Sequence, residues 1–379
     1  MKITVPLDDI DVDILNVLEE KGAKTSTREL AEILDISDRT ARYRLKRLKE
    51  KGLLKRITVR TYERKIGVGD MIMAVQSAPD KHAHLGEILY AIPPFYYYNP
   101  TYGKFNGYWI FAQYPLSTPQ MCKRLLDELK VEGMIEDYLL LEAIDYTVKG
   151  PKVAAFLPDS TWQWDDWYKE ISDTMEEGKE TDFGFNEFPS QESFDFKDLQ
   201  IVKKLVNNAE TTLKEMGEFL ELSQPQVHKR IKRLEEIGVI TGYKPSFVPY
   251  KNGITITCVF ESRENAKKIL YAFKELPFSL NISMQSSMKY TIITYLPPSE
   301  ISCFLKGIDK LRQYSDKLFV QFSLDGRSTG YAHLFDTFNV ETNNWEMPVQ
   351  DYLDLIKEMA SKDYTDLVTD TQAGHVEST

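Results

Sequence analysis

The sequence predicts an α+β protein made of two tandem units, each a winged helix-turn-helix followed by a ferredoxin-like βαββαβ domain. Three observations predict it. The 379-residue chain repeats itself at an offset of 186 residues. In each copy, short segments with helical apolar spacing precede β-rich segments. Residues 37–56 hold nine Lys or Arg, although the formal net charge of the chain is −11.

The repeat is clearest over residues 25–54 and 211–240, which align without a gap. Apolar positions stay apolar, and agreement on this scale indicates a duplication. The coinciding pairs include Thr25/Thr211, Glu29/Glu215, Glu32/Glu218, Leu34/Leu220, Ser37/Ser223, Arg44/Arg230, Lys46/Lys232, Arg47/Arg233, Leu48/Leu234 and Gly52/Gly238.

Three short helices open the first copy. Apolar residues from Ile10 to Leu18 recur at helical spacing and predict the first helix. Ser26 and Glu29 form a capping-box pattern that starts the second helix, which continues to about Leu34. In the second copy, the same pattern predicts helices over 197–207, 212–220 and 224–236.

The third helix of the first copy carries the basic residues. Ser37 or Asp38 caps it, and Gly52 stops it. The β-rich stretch 53–67 that follows predicts a wing hairpin, and 239–250 predicts the second wing. An apolar stripe spaced by four and three residues faces the core of the three-helix unit. The residues of this stripe are Ala41, Leu45 and Leu48.

Beyond each wing, the pattern predicts a βαββαβ unit. The first copy has strands over 71–77, 95–100, 108–114 and 137–148, with helices over 82–91 and 118–131. The second has strands over 254–260, 279–285, 289–296 and 318–326, with helices over 263–275 and 299–313. The predicted organisation is a winged helix-turn-helix (1–66), a ferredoxin-like domain (67–150), an acidic connector (151–192), a second winged helix-turn-helix (193–250), a second ferredoxin-like domain (251–338) and an acidic tail (339–379).

Composition limits the classes of protein that fit. No apolar run approaches the roughly 18 residues of a membrane span, and the first residues lack the apolar core of a secretory signal. Three scattered cysteines fit reduced thiols in a cytoplasm, and neither a metal site nor a cofactor motif is predicted. The connector and tail hold much of the negative charge, and we expect their tryptophans to dock onto a domain. These are Trp162, Trp164, Trp167 and Trp345.

The third helix is where we predict contact with double-stranded DNA. In a helix-turn-helix, this helix enters the major groove with its N-terminal residues leading, and arginine can bond guanine through two atoms. We expect base contacts from Arg39, Thr40, Arg42 and Tyr43, and phosphate contacts from Lys46, Arg47, Lys55, Arg56 and Arg60. The second copy carries fewer charges in this helix, so the predicted target is asymmetric. Its candidate contacts are Gln224, Gln226, His228 and Lys229.

The sequence resembles the leucine-responsive/asparagine-operon regulator (Lrp/AsnC) family. LDDIDVDILNVL and ELAEILDISDRTARYRLKRLKEKGLLKR carry the resemblance in the first copy, and EMGEFLELSQPQVHKRIKRLEEIGVITGY followed by Pro249 carries it in the second. The resemblance implies a transcription regulator whose βαββαβ domains associate, here within one chain and with a second chain. It also implies an effector site at Gly103, Phe105 and Asn106, where Asn106 replaces an aspartate and so argues against an amino acid as the small-molecule effector.

Two alternatives remain open at the level of sequence. Tandem chains of this kind also resemble sirohaem decarboxylases, whose H-N-Y-x-R and N-x-W-F patterns correspond here to Tyr98-Asn99-Pro100 and Asn106-Gly107-Tyr108-Trp109, without the His and Arg. The acidic, aromatic connector also permits a protein that only contacts the transcription machinery. The regulator is the preferred reading, and no catalytic residue is predicted.

Overall fold

The computed structural model describes residues 7–157, 160–187, 190–247, 252–328 and 333–362. The first copy forms α1 (Asp9–Lys21), α2 (Thr27–Leu34), α3 (Asp38–Glu50), β1 (Leu54–Thr61), β2 (Val68–Ser77), α4 (His82–Ala91), β3 (Tyr97–Gly103), β4 (Gly107–Pro115), α5 (Met121–Val131), β5 (Ile135–Ala143), β6 (Asp145–Lys149) and α6 (Trp164–Glu177). The second forms α7 (Phe196–Asn207), α8 (Leu213–Leu220), α9 (Gln224–Glu236), β7 (Ile240–Phe247), β8 (Ile254–Glu261), α10 (Ala266–Lys274), β9 (Leu280–Ser286), β10 (Lys289–Leu296), α11 (Ile301–Arg312), β11 (Lys317–Ser323), β12 (Arg327–Ser328), β13 (Phe338–Asn339), β14 (Asn344–Trp345) and α12 (Val349–Ser361).

Short 3₁₀ turns lie at Glu63–Ile66, Val153–Phe156, Pro298–Glu300 and His333–Thr337. Among the described residues, no helix is long and apolar enough to cross a membrane. The α+β class with two helix-turn-helix units and two ferredoxin-like units is confirmed.

The described chain divides into two compact units, and each takes segments from both copies of the repeat. The first unit comprises Met1–Tyr62, Asp145–Glu187 and Lys197–Phe319. The second comprises Glu63–Ile144, Phe188–Phe196 and Val320–Thr379. Both helix-turn-helix units therefore belong to the first unit.

The capping boxes that start α2 and α8 have the same geometry. Ser26 Oγ accepts a hydrogen bond from Glu29 N at 3.2 Å, and Ser26 N donates to Glu29 Oε2 at 2.8 Å. Thr212 and Glu215 repeat this exchange at 3.2 and 2.8 Å. The paired bonds satisfy backbone N–H groups that the first helical turn leaves open, which explains why both helices begin there.

The wing differs from the predicted local hairpin. After β1 the chain enters a 3₁₀ turn and then β2, and none of the described residues of the first copy forms a return strand against β1. Its backbone groups pair instead with the equivalent strand β7, and the two form an antiparallel two-stranded sheet. Tyr62 N continues this contact by donating to Val239 O at 2.7 Å. One shared sheet thus replaces two separate wings, because an unpaired strand leaves its hydrogen-bonding groups open.

In the first unit, an antiparallel sheet has the strand order β8-β10-β9-β6. Strand β6 comes from the first copy, although the other three strands come from the second. Helix α6, also from the first copy, packs on α10 and α11. Its Trp167 is buried, donates from Nε1 to Ala272 O at 2.8 Å, and stacks on Phe304 at 5.9 Å between ring centroids.

The second unit repeats this exchange with the copies reversed. Its sheet has the strand order β5-β2-β4-β3, and residues 321–323 and 327–328 of the second copy pair with β3. Helix α12 packs on α4 and α5. The strand predicted over 137–148 is accordingly two strands that separate at Ile144, since β5 pairs with β2 and β6 pairs with β9.

Candidate nucleic-acid interface

Helix α3 is anchored by its apolar stripe and by its cap. Ala41 and Leu48 are fully buried and Leu45 is half-buried, so the stripe points inward. Ser37 Oγ accepts from Thr40 N at 3.0 Å and lies 2.8 Å from Thr40 Oγ1. This cap uses the Thr40 hydroxyl within the helix start and leaves its methyl group as the apolar contact.

The outer face of the first turns of α3 is open to solvent. Arg39 is exposed, and Tyr43 is 63% exposed despite its size. Arg42 Nη2 donates to Asp38 Oδ2 at 2.8 Å, with both side chains on the surface. Hydrogen bonds from Thr27 and Arg42 lower the pKa of Asp38. An exposed pair of this kind contributes little to stability, so Arg42 can exchange Asp38 for a base or phosphate.

Two other predicted phosphate contacts have different surroundings. Lys46 is exposed and lies 3.7 Å from Glu50 Oε1, which leaves its ammonium accessible. Arg47 instead donates from Nη2 to Asp11, a fully buried carboxylate of α1. Arg44 Nη1 donates to the other oxygen of Asp11 at 3.2 Å. Arg47 therefore fixes α3 against α1, which differs from the phosphate contact expected for it, because its charge is already matched inside the domain.

A buried aspartate that accepts hydrogen bonds from two arginines of the third helix is called an arginine fork below. The second copy contains the same fork. Asp198 of α7 is buried and accepts from Arg230 at 2.7 Å and from Arg233 at 2.8 Å. The sequence contained a signal for both forks, namely an acidic residue in the first helix and two arginines three apart in the third. Periodicity alone did not connect them, because the partners are more than thirty residues apart in sequence.

Helix α9 presents a less basic surface. Val227 and Leu234 are fully buried, and the predicted contacts Gln224, Gln226, His228 and Lys229 are all exposed. Gln226 Oε1 accepts from both Ser223 N and Ser223 Oγ at 2.9 Å. The cap thus uses the amide oxygen of Gln226, and its amide nitrogen is left to donate to a base.

The wing residues are placed unequally. Arg60 is half-buried in β1, opposite Gly242 of β7. The side chains of Lys55 and Arg56 lie outside the described residues, as does Pro249. Of the predicted phosphate contacts in the wing, Arg60 is therefore the one whose side chain is described.

The predicted effector loop is filled by the protein's own side chain. Gln321 is fully buried; its Oε1 accepts from Phe105 N at 3.1 Å, and its Nε2 donates to Phe105 O at 2.8 Å. A Cβ on Gly103 would lie 2.6 Å from Gln321 Oε1. Asn106 Oδ1 accepts from Gly103 N at 3.3 Å. These bonds hold the loop against Gln321, and the effector site expected at Gly103, Phe105 and Asn106 stays a prediction.

A cavity of about 250 Å³ lies elsewhere in the second unit, between α4, β3 and β4. His82 stacks on Tyr108 at 4.4 Å and an interplanar angle of 6°, and burial lowers the pKa of His82. Arg327 Nη1 donates to Glu87 Oε1 at 2.8 Å. Burial raises the pKa of the Tyr98 hydroxyl, and the nearby Arg327 guanidinium opposes that rise. Sequence reasoning missed His82 and Arg327 here, because the fold brings them to Tyr98 from outside its local motif.

Comparison with known proteins places the helical units among regulators. A family model described as winged helix-turn-helix DNA-binding matches residues 7–55 and 195–241. LrpC of Bacillus subtilis, an HTH-type transcriptional regulator, is 31% identical over 65 residues, which are 17% of this chain and 45% of LrpC. LrpA of Pyrococcus abyssi, another HTH-type transcriptional regulator, is 34% identical over 95 residues, which are 24% of this chain and 67% of LrpA. The chain thus spans less than half the length of LrpC.

One solved structure resembles the chain over nearly its whole length. The siroheme decarboxylase NirDL aligns with 93% of this chain and 99% of its own, with a TM-score of 0.50 and 15% sequence identity. At that identity, the likeness concerns the fold alone.

Proposed function

The chain belongs to the Lrp/AsnC family, and on that basis we propose that it is a sequence-specific, DNA-binding transcription regulator. One observation carries the proposal: the basic first turns of α3 are exposed on a helix that a buried stripe and the Arg44–Asp11 fork hold in place. A rigid helix with open arginines at its N-terminal end suits the major groove.

Each candidate residue has a proposed role. Arg39, Arg42 and Tyr43 contact base edges, and the Thr40 methyl group contacts a thymine methyl. Lys46 contacts phosphate together with Lys55, Arg56 and Arg60 of the shared wing. Arg47 is assigned to the fork. In the second copy, the proposed contacts are Gln224, Gln226, His228 and Lys229.

Replacement of Arg42 by alanine tests the base contact. We expect it to cost about 1–3 kcal/mol on the selected site and little on random DNA, because guanine recognition is lost while most phosphate contacts remain. Arg263→Ala is the matched control, since Arg263 is an exposed arginine that also pairs with an aspartate, Asp316, at 3.4 Å. Equal losses on both DNAs, measured by fluorescence anisotropy, would limit Arg42 to phosphate.

Replacement of Lys46 by alanine tests the phosphate contact. The slope of log K against log salt should become shallower by about 0.9, because one fewer counterion is released on binding. Affinity should fall to a similar extent on all sequences. An unchanged slope would remove Lys46 from the interface.

We assign the small-molecule effector to the cavity beside Tyr98 instead of the loop that Gln321 fills. The Arg327–Glu87 pair offers both charges to a small polar molecule, and the His82–Tyr108 stack offers a flat wall. Thermal denaturation of the protein and of its Arg327→Gln variant with candidate metabolites tests this assignment. A ligand of the cavity should raise the melting temperature of the unmodified protein and leave that of the variant unchanged.

A second chain is proposed to associate along the outer edge of β5, which ends the strand order of the second unit. Light scattering after gel filtration measures that association.

The alternative of a decarboxylase on the same fold predicts a bound chromophore and no retention of promoter DNA. A coloured protein that fails to retain DNA would overturn the regulator proposal.

A further inference from the structure

We infer that four surface charges select the protein partner of each helix-turn-helix, so that the first pairs with the second and repels another copy of itself. The charges belong to Lys24 and Lys49 of the first copy and to Glu210 and Glu235 of the second. The inference goes beyond the proposed function, because it concerns a contact between protein surfaces and does not depend on DNA.

The two helix-turn-helix segments meet along the shared wing and beside it. Strands β1 and β7 are antiparallel, with Thr58 directly opposite Lys244. Ala23 N, in the turn between α1 and α2, donates to Tyr243 O of β7 at 2.7 Å. Because Thr58 and Lys244 are equivalent positions of the repeat, the contact is reciprocal. A contact of one residue with another is then matched by a contact between the equivalents of both.

A salt bridge crosses this contact on one side. Lys49 Nζ, at the end of α3, lies 3.3 Å from Glu210 Oε1, in the turn before α8. About half of each side chain is exposed, so the pair contributes little to stability by itself. Its position matters more than its strength, because it joins the two copies of the repeat.

The equivalent residues form the second crossing. Lys24 is equivalent to Glu210, and Glu235 is equivalent to Lys49. Lys24 Nζ lies 3.6 Å from the centroid of the Tyr243 ring. Burial lowers the pKa of Lys24, and the negative charge of Glu235 opposes that fall. Burial raises the pKa of Tyr243 to about 12, and Glu235 adds to that rise. Lys24 and Glu235 therefore attract each other across the same boundary.

The charge pattern distinguishes the native pairing from pairing between identical copies. The native pairing brings two lysines against two glutamates. A pair of first copies from two chains would place Lys24 against Lys49 twice, and a pair of second copies would place Glu210 against Glu235 twice. Repulsion between like charges excludes a wrong partner, even where an exposed salt bridge adds little affinity for the right one.

Charge swaps that leave the composition unchanged test the inference in the full-length chain. The first swap, Lys24→Glu with Glu210→Lys, opposes like charges across the native contact and makes each copy complementary to itself. The second swap, Lys49→Glu with Glu235→Lys, does the same at the other pair of positions. The two swaps combined restore opposite charges and are the matched control, because they alter all four positions.

Thermal denaturation measures the native pairing. Each swap should lower the melting temperature by about 2–4 °C, and the combined variant should regain the melting temperature of the unmodified chain. In about 1 M salt these differences should disappear, because the Debye length falls to about 3 Å. A loss that persists in the combined variant or in high salt would overturn the inference, since the substituted side chains would then act through packing.

A cysteine in the wing measures pairing between identical copies. In such a pair, Thr58 would lie opposite Thr58 of a second chain, because its native partner is its own equivalent. Thr58→Cys should form little interchain disulfide in the unmodified chain, about tenfold more in either swap, and little again in the combined variant. The same four chains with Thr58 intact give the background from the native cysteines.

Equal yields of interchain disulfide from all four chains would overturn the inference, as would a melting temperature that neither swap changes. Both measurements are made without DNA, so either result leaves the proposed regulator intact. Failure of the unmodified chain to bind DNA would overturn the regulator and leave the selection of partners intact.

Discussion

At the scale of single residues, two buried aspartates hold the first and third helices of each helix-turn-helix unit together. Asp11 and Asp198 each receive two arginines from the third helix of their unit. Sequence pattern separated the buried stripe of α3 from its charged residues, because helical periodicity fixes which side chains share a face. It did not separate Arg42 from Arg47, because residue type does not reveal a partner on another helix.

Replacement of Asp11 by alanine should destabilise the protein by about 2–4 kcal/mol. The loss leaves Arg47 without its carboxylate, and it is below the full cost of breaking a buried pair because Arg44 keeps its ion pair with Asp8 and both arginines retain some contact with water. Asp13→Ala, at an exposed position of the same helix, is the control. Urea denaturation measures both free energies, and equal values would show that the fork does not stabilise the unit.

Asp70 makes stability depend on pH. Burial and the negative charge of Glu63 raise the pKa of Asp70 from 3.8 to about 8, against a hydrogen bond from Gln113. Because the folded pKa exceeds the unfolded one, the folded state binds this proton more tightly, and stability declines as pH rises from about 4 through 8.

Asp70→Asn should therefore raise the melting temperature at pH 8 and have little effect at pH 5, where Asp70 is already protonated. Asp137→Asn on the exposed part of β5 serves as the control. A gain for Asp70→Asn that is the same at both pH values would contradict the assignment of the proton to Asp70.

Single elements were predictable where local chemistry decides them. Helices over 82–91 and 224–236 have the predicted bounds, because caps and apolar spacing act within a few residues. The partner of β1 and the break at Ile144 were not predictable, because alternation predicts a strand and does not identify its neighbour. Those partners lie in the other copy of the repeat.

The packing of the connector helix α6 on α11 gives a prediction at the scale of one element. A Cβ on Gly307 of α11 would lie 2.0 Å from the ring of Trp167. Gly307→Ala should thus push Trp167 out of its site and cost about 1–3 kcal/mol through overpacking. Lys306→Ala, exposed on the same helix, should change stability by less than about 0.5 kcal/mol. Tryptophan fluorescence during urea denaturation detects both the displacement and the loss.

At the scale of the whole molecule, the two copies of the repeat exchange segments with each other. Each copy of the repeat supplies strands and a helix to the ferredoxin-like domain of the other copy, through β6 and α6 in one direction and through residues 321–328 and α12 in the other. The sequence predicted the duplication and the association of its copies. The exchange itself depends on which open sheet edge each strand meets, which is a property of the folded chain.

This exchange makes the two halves dependent on each other. Expressed separately, residues 1–190 would lack the strands that cover β3 and the helix that covers α4 and α5, and residues 191–379 would lack β6 and α6. Each half alone should therefore expose apolar surface and fail to unfold cooperatively, whereas co-expression should yield a one-to-one complex with the stability curve of the intact chain. Light scattering and urea denaturation measure both properties. A monomeric half that unfolds cooperatively by itself would show that the exchanged segments are dispensable for folding.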